Sequence, residues 1–190
     1  VHSLGDLAAG RGDWWVLTGG VDGPVARQLI AHGPTAAEHV LRQITDVFGV
    51  DHVAVELVHH GDPLDTARND ALVRIADRVG VERLCIFMSP PWQHEPKPEE
   101  FRRSNDDVLA ILKEWGSRAF GFVYLNPVHT KESLAELERC VADGPMVGIK
   151  LWVGTRAHRR ELDPIVRRAV ELDALIFQHT WIKQRGKGNL

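Results

Sequence analysis

The stretch FGFVYLNPVHTKESLAELERCVADGPMVGIKLW, residues 120–152, decides the fold class. It opens with an apolar run that Pro127 stops, and it closes with a second apolar run at 147–152. Between the two runs, Leu134 and Leu137 fall at the spacing of a helix that buries one side. A strand, a helix and a second strand in this order predict a βα unit of a parallel sheet.

The same pattern recurs on both sides of this stretch. Further strands are predicted at 82–88 and within ALIFQHTWIK at 174–183. A helix is predicted at roughly 105–115, with Ser104 or Asn105 accepting its first free amides. The later strand centres are about 27 residues apart, close to the ~30 residues of a βα unit. This regular spacing predicts a repeated βα architecture.

We therefore predict an α/β fold, a partial (β/α)8 TIM-like barrel of about four βα units over residues 62–190. Its first helix covers 66–79 and ends at Gly80, a residue suited to a left-handed cap. Eight such units close a full barrel, and a half barrel leaves unpaired strand edges. We expect either a fragment of a longer protein or a homo-oligomer that covers the open sheet edge.

The first part of the chain follows a different pattern and is predicted as a small α+β segment at 1–61, in the order strand, helix, strand. Its helix is expected at 35–49, with Thr35 and Glu38 as a capping box. The following strand, 51–58, alternates like a strand that is buried on one face only.

Composition excludes several classes of partner. The chain has 44% hydrophobic and 26% charged residues, which is ordinary for a globular protein. A formal net charge of -3 gives no broad basic field, so we expect no nucleic-acid partner and no membrane partner. The sequence shows neither a membrane span nor a signal peptide. Cys85 and Cys140 lie in apolar segments and predict buried free thiols, which favours the cytoplasm.

Five short stretches carry a resemblance to a known family: GFVYLNP, GPMVGIKLW, ELDPIVRRAVEL, FQHTW and the terminal GKGNL. Over roughly residues 62–190 the sequence resembles the amidohydrolase-related family of metal-dependent hydrolases, which are (β/α)8 barrels. The resemblance implies a divalent metal, usually zinc, whose bound water attacks a carbonyl-type carbon of a small-molecule substrate. Some relatives are decarboxylases, so both reactions stay open.

The resemblance also implies metal ligands. A histidine at the end of the fifth strand binds the metal in this family, and His179 lies at that place. The family's His-x-His motif has its nearest counterpart in VAVELVHHGD, 53–62, where His59 keeps the second histidine and Leu57 replaces the first. A catalytic zinc needs about three protein ligands. Because the family's later histidine and aspartate would lie beyond Leu190, we expect the chain to be inactive as given.

Candidate substrate-binding residues follow from the rule that chemistry collects at the carboxyl ends of parallel strands. Lys150 and Trp152 end one predicted strand, and Trp181 ends another. Lys150 could bridge two metals as a carboxylated lysine, as in some members of the wider superfamily, or bind a substrate carboxylate as a point charge. The two tryptophans could line an apolar pocket or serve ordinary packing.

A second resemblance concerns residues 1–60, through VFGVDHVAVELV at 47–58. This passage resembles the closing helix-to-strand passage of the cytosolic domain of cation diffusion facilitators, in which a histidine placed like His52 can bind zinc. The alternative function is therefore a metal-binding interaction module that uses His52, His59 and His60.

Overall fold

The computed structural model describes residues 4–9, 12, 14–59, 62–88, 95–151 and 158–178. The helices and strands follow one another along the chain in the order α1 (Leu4–Ala9), β1 (Val16–Leu17), α2 (Pro24–His32), α3 (Pro34–Phe48), β2 (Val53–His59), α4 (Pro63–Val79), β3 (Arg83–Met88), α5 (Pro98–Trp115), β4 (Ala119–Leu125), α6 (Thr130–Leu137), β5 (Gly148–Leu151), α7 (Asp163–Glu171) and β6 (Leu175–Gln178). A π-helical turn, Glu138–Ala142, continues α6.

The chain divides into two compact units, Val1–Cys85 and Ile86–Leu190. The division falls within β3, inside an element that belongs to both units. This division lies inside a strand, whereas the expected domain boundary lies between two elements, after residue 61. The expected boundary therefore stays a prediction.

In the first unit, β1 pairs with β2 in parallel, with Val16 opposite Val53 and Leu17 opposite Ala54. Two helices, α2 and α3, connect these strands. The expected strand, helix and strand order is present, and the parallel pairing gives this segment the same kind of βα connection as the units that follow.

Two details of the first unit differ from the sequence-based expectations. Strand β2 is buried from Val53 through Val58, whereas alternating burial was expected. Parallel strands are commonly covered on both faces, which explains this continuous burial. The capping box at α3 is wrong, because the helix begins at Pro34 after Gly33, without a side-chain cap. Glu38 instead forms ion pairs with arginines of α3 and α4.

Helix α4 begins at Pro63, three residues before the expected position 66, and ends at Val79 as expected. The Asp62 side chain caps the first turn by accepting a hydrogen bond from the Leu64 amide at 2.9 Å. Gly80 ends the helix in the left-handed conformation, with φ 88° and ψ 16°. The expected stop at Gly80 is confirmed.

The second unit contains the parallel strands β4, β5 and β6, with α5, α6 and α7 before or between them. Helix α5 packs on β4 through Val108 and Leu112, and Gly121 lets the two elements approach closely. A Cβ atom added to Gly121 would lie 2.5 Å from Leu112 Cδ1. The core of this unit therefore depends on a residue without a side chain in β4.

The expected start of α5 near residue 105 is wrong. The helix begins seven residues earlier, at Pro98, and the Lys97 amide donates a hydrogen bond to Glu100 Oε2 at 2.8 Å. Proline is favoured in the first helical turn, where its missing amide costs nothing. Ser104 and Asn105 are buried in the middle of the helix and do not cap it.

Within each unit the parallel strands follow chain order, β1 beside β2 in the first and β4, β5 and β6 in the second. Together with the helices between them, this order confirms the predicted fold class, α/β with a partial TIM-like barrel. Among the described residues, no helix combines the length and the apolar character needed to cross a membrane. The buried free thiols expected at Cys85 and Cys140 are also present.

Candidate functional site

Lys150 is the predicted site residue that the structure places most clearly. It lies in β5 next to the last residue of the strand, and it is only 1% exposed. Its ammonium nitrogen Nζ lies 3.3 Å from the ring centroid of Phe177 and 4.3 Å from that of Phe87. The lysine charge is therefore enclosed by aromatic faces near the carboxyl end of a central strand.

Strand register explains why these groups meet. In the second unit, Lys150 is paired with Tyr124 on β4 and with Phe177 on β6. Side chains at the same level of neighbouring parallel strands point to the same face of the sheet. Phe122 lies two residues before Tyr124 and so shares this face, with its ring centroid 5.9 Å from that of Phe177.

The aromatic rings form a cluster with defined geometry. Phe87 and Phe177 meet edge to face, with ring centroids 5.5 Å apart and an interplanar angle of 89°. Edge-to-face pairs place the electron-rich face of one ring outward, and such faces attract a cation. A cation–π contact is worth roughly 2 kcal/mol when it is desolvated, as Lys150 is here.

Tyr124 adds a buried hydroxyl group to the same level of the sheet. It is almost fully buried, and burial raises the pKa of its phenol well above the ordinary value. The phenol is therefore neutral at physiological pH and can donate a hydrogen bond.

The position of Tyr124 is fixed from the opposite side of β4 by Asn105 of α5. Asn105 Oδ1 accepts a hydrogen bond from the Tyr124 amide at 2.8 Å, and Nδ2 donates to the Tyr124 carbonyl at 3.1 Å. Nδ2 also donates to Glu136 Oε2 of α6 at 3.0 Å. One buried side chain thus joins both helices to the strand beside Lys150.

The segment after β4 is held by Asn126, a strand-end residue. Its Nδ2 donates to the Pro96 carbonyl at 2.8 Å, and its Oδ1 accepts from the Val128 amide at 3.2 Å. Ser133 Oγ of α6 donates to the Asn126 carbonyl at 2.8 Å. All these groups are committed to fixing the loop, so Asn126 is a structural residue here.

The predicted metal ligands are not brought together in the part of the chain that the structure describes. His59 ends β2, where its Nε2 lies 3.0 Å from Thr66 Oγ1 of α4. His179, Trp152 and Trp181 lie outside the described residues. Within the described ranges, no three side chains of the types His, Cys, Asp and Glu come close enough to hold a metal. Because His179 lies outside the described residues, His59 and His179 as metal ligands stay a prediction.

The histidines proposed for a metal-binding module are also separated. His52 directly precedes β2 and His59 is its last residue. Seven residues of strand at about 3.3 Å per residue place them roughly 23 Å apart. The ring of His52 instead lies 5.9 Å from that of Trp15. His52 and His59 cannot share one metal ion, and His60 lies outside the described residues.

Glu56 is a buried acidic residue of the first unit that was not among the predicted site residues. Glu56 lies in β2 and is buried, and its amide donates to Thr18 Oγ1 at 3.0 Å. Cys85 lies nearby, and burial, followed by the charge of Glu56, raises the pKa of its thiol to about 12. A single acidic residue in the otherwise apolar run VAVELV was the signal that could have identified it.

Comparisons with known proteins give two kinds of likeness. No protein-family model matches the chain. The sequence is 41% identical over 103 residues to an error-prone DNA polymerase of Nocardia farcinica, covering 51% of this chain and 9% of that protein. It is 47% identical over 73 residues to the enzyme of the same name from Mycobacterium tuberculosis, covering 38% and 7%. The chain is 46% identical over 151 residues to the error-prone DNA polymerase of Cutibacterium acnes, a match that covers 79% of this chain and 11% of that protein.

The structural likeness is to a different protein. The crystal structure of 2,6-dihydroxybenzoate decarboxylase from Rhizobium superposes with a TM-score of 0.56 at 18% identity, covering 69% of this chain and 50% of that chain. This likeness shows the fold alone, an α/β partial barrel of the kind that the sequence predicted. The chain spans about a tenth of the polymerases and half of the decarboxylase chain. The resemblance of the first sixty residues to cation diffusion facilitators has no support here, because the sequence relatives are polymerases.

Proposed function

We propose that this chain is part of an amidohydrolase-type hydrolase or a related decarboxylase, in which Lys150 binds the carboxylate of a small aromatic substrate. The observation that carries the proposal is the enclosure of the Lys150 ammonium group by Phe87 and Phe177 in β3 and β6. An aromatic acid offers a ring to this cluster and a negative charge to the lysine, so its two parts match the two kinds of group present.

Lys150 would serve the two reactions in different ways. In decarboxylation it would bind and orient the carboxylate, whose C–C bond breaks as CO₂ leaves, with the electron pair moving onto the ring carbon, where a proton replaces the lost group. In hydrolysis a carbonyl oxygen gains negative charge when water attacks the carbon beside it, and a fixed cation lowers the energy of that oxyanion, more strongly where water is excluded. The neutral Tyr124 phenol, at the same level of the sheet, is a candidate hydrogen-bond donor to the same oxygen.

The metal and the two tryptophans complete the proposal. Zinc would depend on His179, which the family resemblance places at a ligand position, and Trp152 and Trp181 would line the apolar part of the pocket.

Isothermal titration calorimetry with 2,6-dihydroxybenzoate tests the proposal. Lys150→Met keeps the length of the side chain and removes its charge, and we expect it to weaken binding at least about tenfold, as the loss of one charge-assisted hydrogen bond would. Lys131→Met, on the exposed side of α6, is the matched control and should leave affinity unchanged. Equal affinity of both variants, or no binding by the unchanged chain, would refute the role of Lys150.

A second candidate function follows from the sequence relatives at 41–47% identity. We propose as the alternative that the chain is a segment of an error-prone DNA polymerase and contributes to that enzyme's work on DNA. Fluorescence anisotropy with a primer–template duplex separates the two candidates. Salt-dependent DNA binding that Lys150→Met does not alter would favour the polymerase segment. Binding of the aromatic acid without DNA binding would favour the first candidate.

A further inference from the structure

A groove in the second unit lies beside the segment that leads into α7. Its volume is about 610 Å³, and it is lined by Thr130, His158, Arg159, Arg160, Glu161 and Pro164. Thr130 begins α6 after β4, whereas the other lining residues follow β5. Both connections leave the carboxyl ends of their strands, where ligands of α/β barrels bind. A volume of this order accommodates a small metabolite.

The charges of the groove are unequally compensated. Arg159 Nη2 lies 3.0 Å from Glu161 Oε1 and Nε lies 3.3 Å from Oε2, so these two side chains form a two-point ion pair. Hydrogen bonds from its own amide and from Arg159 hold the pKa of Glu161 below its usual range. The acidic residue therefore stays ionised and remains occupied by its arginine.

Arg160 has a different environment. It is exposed in the groove wall, and its guanidinium group makes no hydrogen bond or ion pair with any side chain or backbone group in the part of the chain that the structure describes. A guanidinium group offers five N–H donors in a planar fork that matches the oxygens of a carboxylate or a phosphate. His158, also exposed in the wall, adds imidazole nitrogens that can donate to the same kind of ligand.

We propose that this groove binds a small oxyanion, the phosphate or carboxylate group of a metabolite, through the fork of Arg160 with His158 beside it. The Arg159–Glu161 pair fixes the wall of the groove and leaves the charge of Arg160 available. The proposal does not depend on Lys150, which is enclosed by rings on β3 and β6.

Two-dimensional amide NMR of the full chain tests the proposal, with inorganic phosphate and acetate titrated separately. We expect saturable shifts at the amides of residues 158–161 and an affinity for at least one anion that Arg160→Gln weakens about tenfold. Arg160→Lys keeps the positive charge but lacks the planar fork of donors. Its affinity for the anion should lie between that of the unchanged chain and that of Arg160→Gln. Arg167→Gln, an exposed arginine of α7 outside the groove lining, is the matched control and should bind as the unchanged chain does.

Saturable binding of phosphate alone would assign a phosphorylated ligand, of acetate alone a carboxylate ligand, and of both a general oxyanion site. No saturable shift at the groove, or equal weakening by Arg160→Gln and Arg167→Gln, would overturn the proposal. Because Lys150→Met leaves the groove intact, this result is independent of the aromatic-acid experiment.

Discussion

Replacing Asn105 by alanine should loosen β4 beside the candidate site. The side chain makes three buried hydrogen bonds, two with the backbone of Tyr124 and one with Glu136. Alanine would leave the Tyr124 amide and its carbonyl without these partners, whereas Glu136 Oε2 keeps the hydrogen bond that Arg139 Nη2 donates at 2.6 Å. At about 1 to 3 kcal/mol for each buried group left unsatisfied, and with partial relief by water, we expect a loss of about 3 to 5 kcal/mol.

Hydrogen exchange at the Tyr124 amide is the most direct assay, because this N–H group donates to Asn105 Oδ1 at 2.8 Å. A loss of this size would speed its exchange by a factor on the order of a hundred or more if exchange follows unfolding of the second unit. The same variant should lower the urea midpoint of the second unit.

Asp107→Ala supplies the control for helix propensity. Asp107 is exposed on the same helix, and its replacement by alanine gives α5 a similar gain in intrinsic helix stability without breaking a buried bond. Its effect should stay within about 0.5 kcal/mol. If Asn105→Ala cost less than about 1 kcal/mol after this correction, the view that Asn105 fixes β4 would be wrong.

Two further perturbations have outcomes that the structure determines. In urea unfolding, Gly148→Ala should destabilise the second unit more than Gly121→Ala. The new Cβ at Gly148 would lie 2.3 Å from a backbone carbonyl oxygen of β6, which cannot move aside. The new Cβ at Gly121 would lie 2.5 Å from a leucine methyl that can rotate, and such overpacking costs about 1 to 3 kcal/mol. Equal losses would contradict this order. The hydrogen bond from Arg168 lowers the pKa of Glu138 below its ordinary value of 4.5. The stabilisation that this pair gives the folded state is therefore present above pH 4.5 and is lost as the pH falls through the folded-state pKa of Glu138. Arg168→Gln should flatten the decline of the unfolding free energy in acid, and an unchanged decline would count against the pair.

The strands of the second unit could be predicted because their signals are local. Apolar runs bounded by glycine or proline predicted strands at 82–88 and 120–126, and the structure has them at Arg83–Met88 and Ala119–Leu125. Gly80 likewise ended a helix as expected. Each of these features depends on residues within a few positions of one another, so a reading of the chain alone recovers them.

The features that the sequence did not reveal depend on distant partners. Asn105 has the composition of a helix cap, yet it lies within α5 because the Tyr124 backbone and Glu136 satisfy its polar atoms. Lys150 was singled out from its place at a strand end, but its enclosure by Phe87 and Phe177 joins three strands and has no local pattern. Strand pairing brings these residues together, and the pairing depends on residues that are far apart in the sequence.

The two likenesses carry different information about function. Sequence identity of 41–47% with polymerases concerns a piece that makes up 7–11% of those proteins, and the structural likeness at 18% identity concerns the fold. Because unrelated functions share one fold, the side chains of this chain must decide between them. DNA binding depends on an extended basic surface, whereas this chain has a net charge of -3. In its second unit Lys150 is buried among aromatic rings, and Arg160 is exposed in a groove beside the Arg159–Glu161 pair. One charge can bind one small anion, so the titrations of Lys150 with an aromatic acid and of Arg160 with phosphate or acetate, together with the DNA-binding assay, are the measurements that separate the two proposed functions.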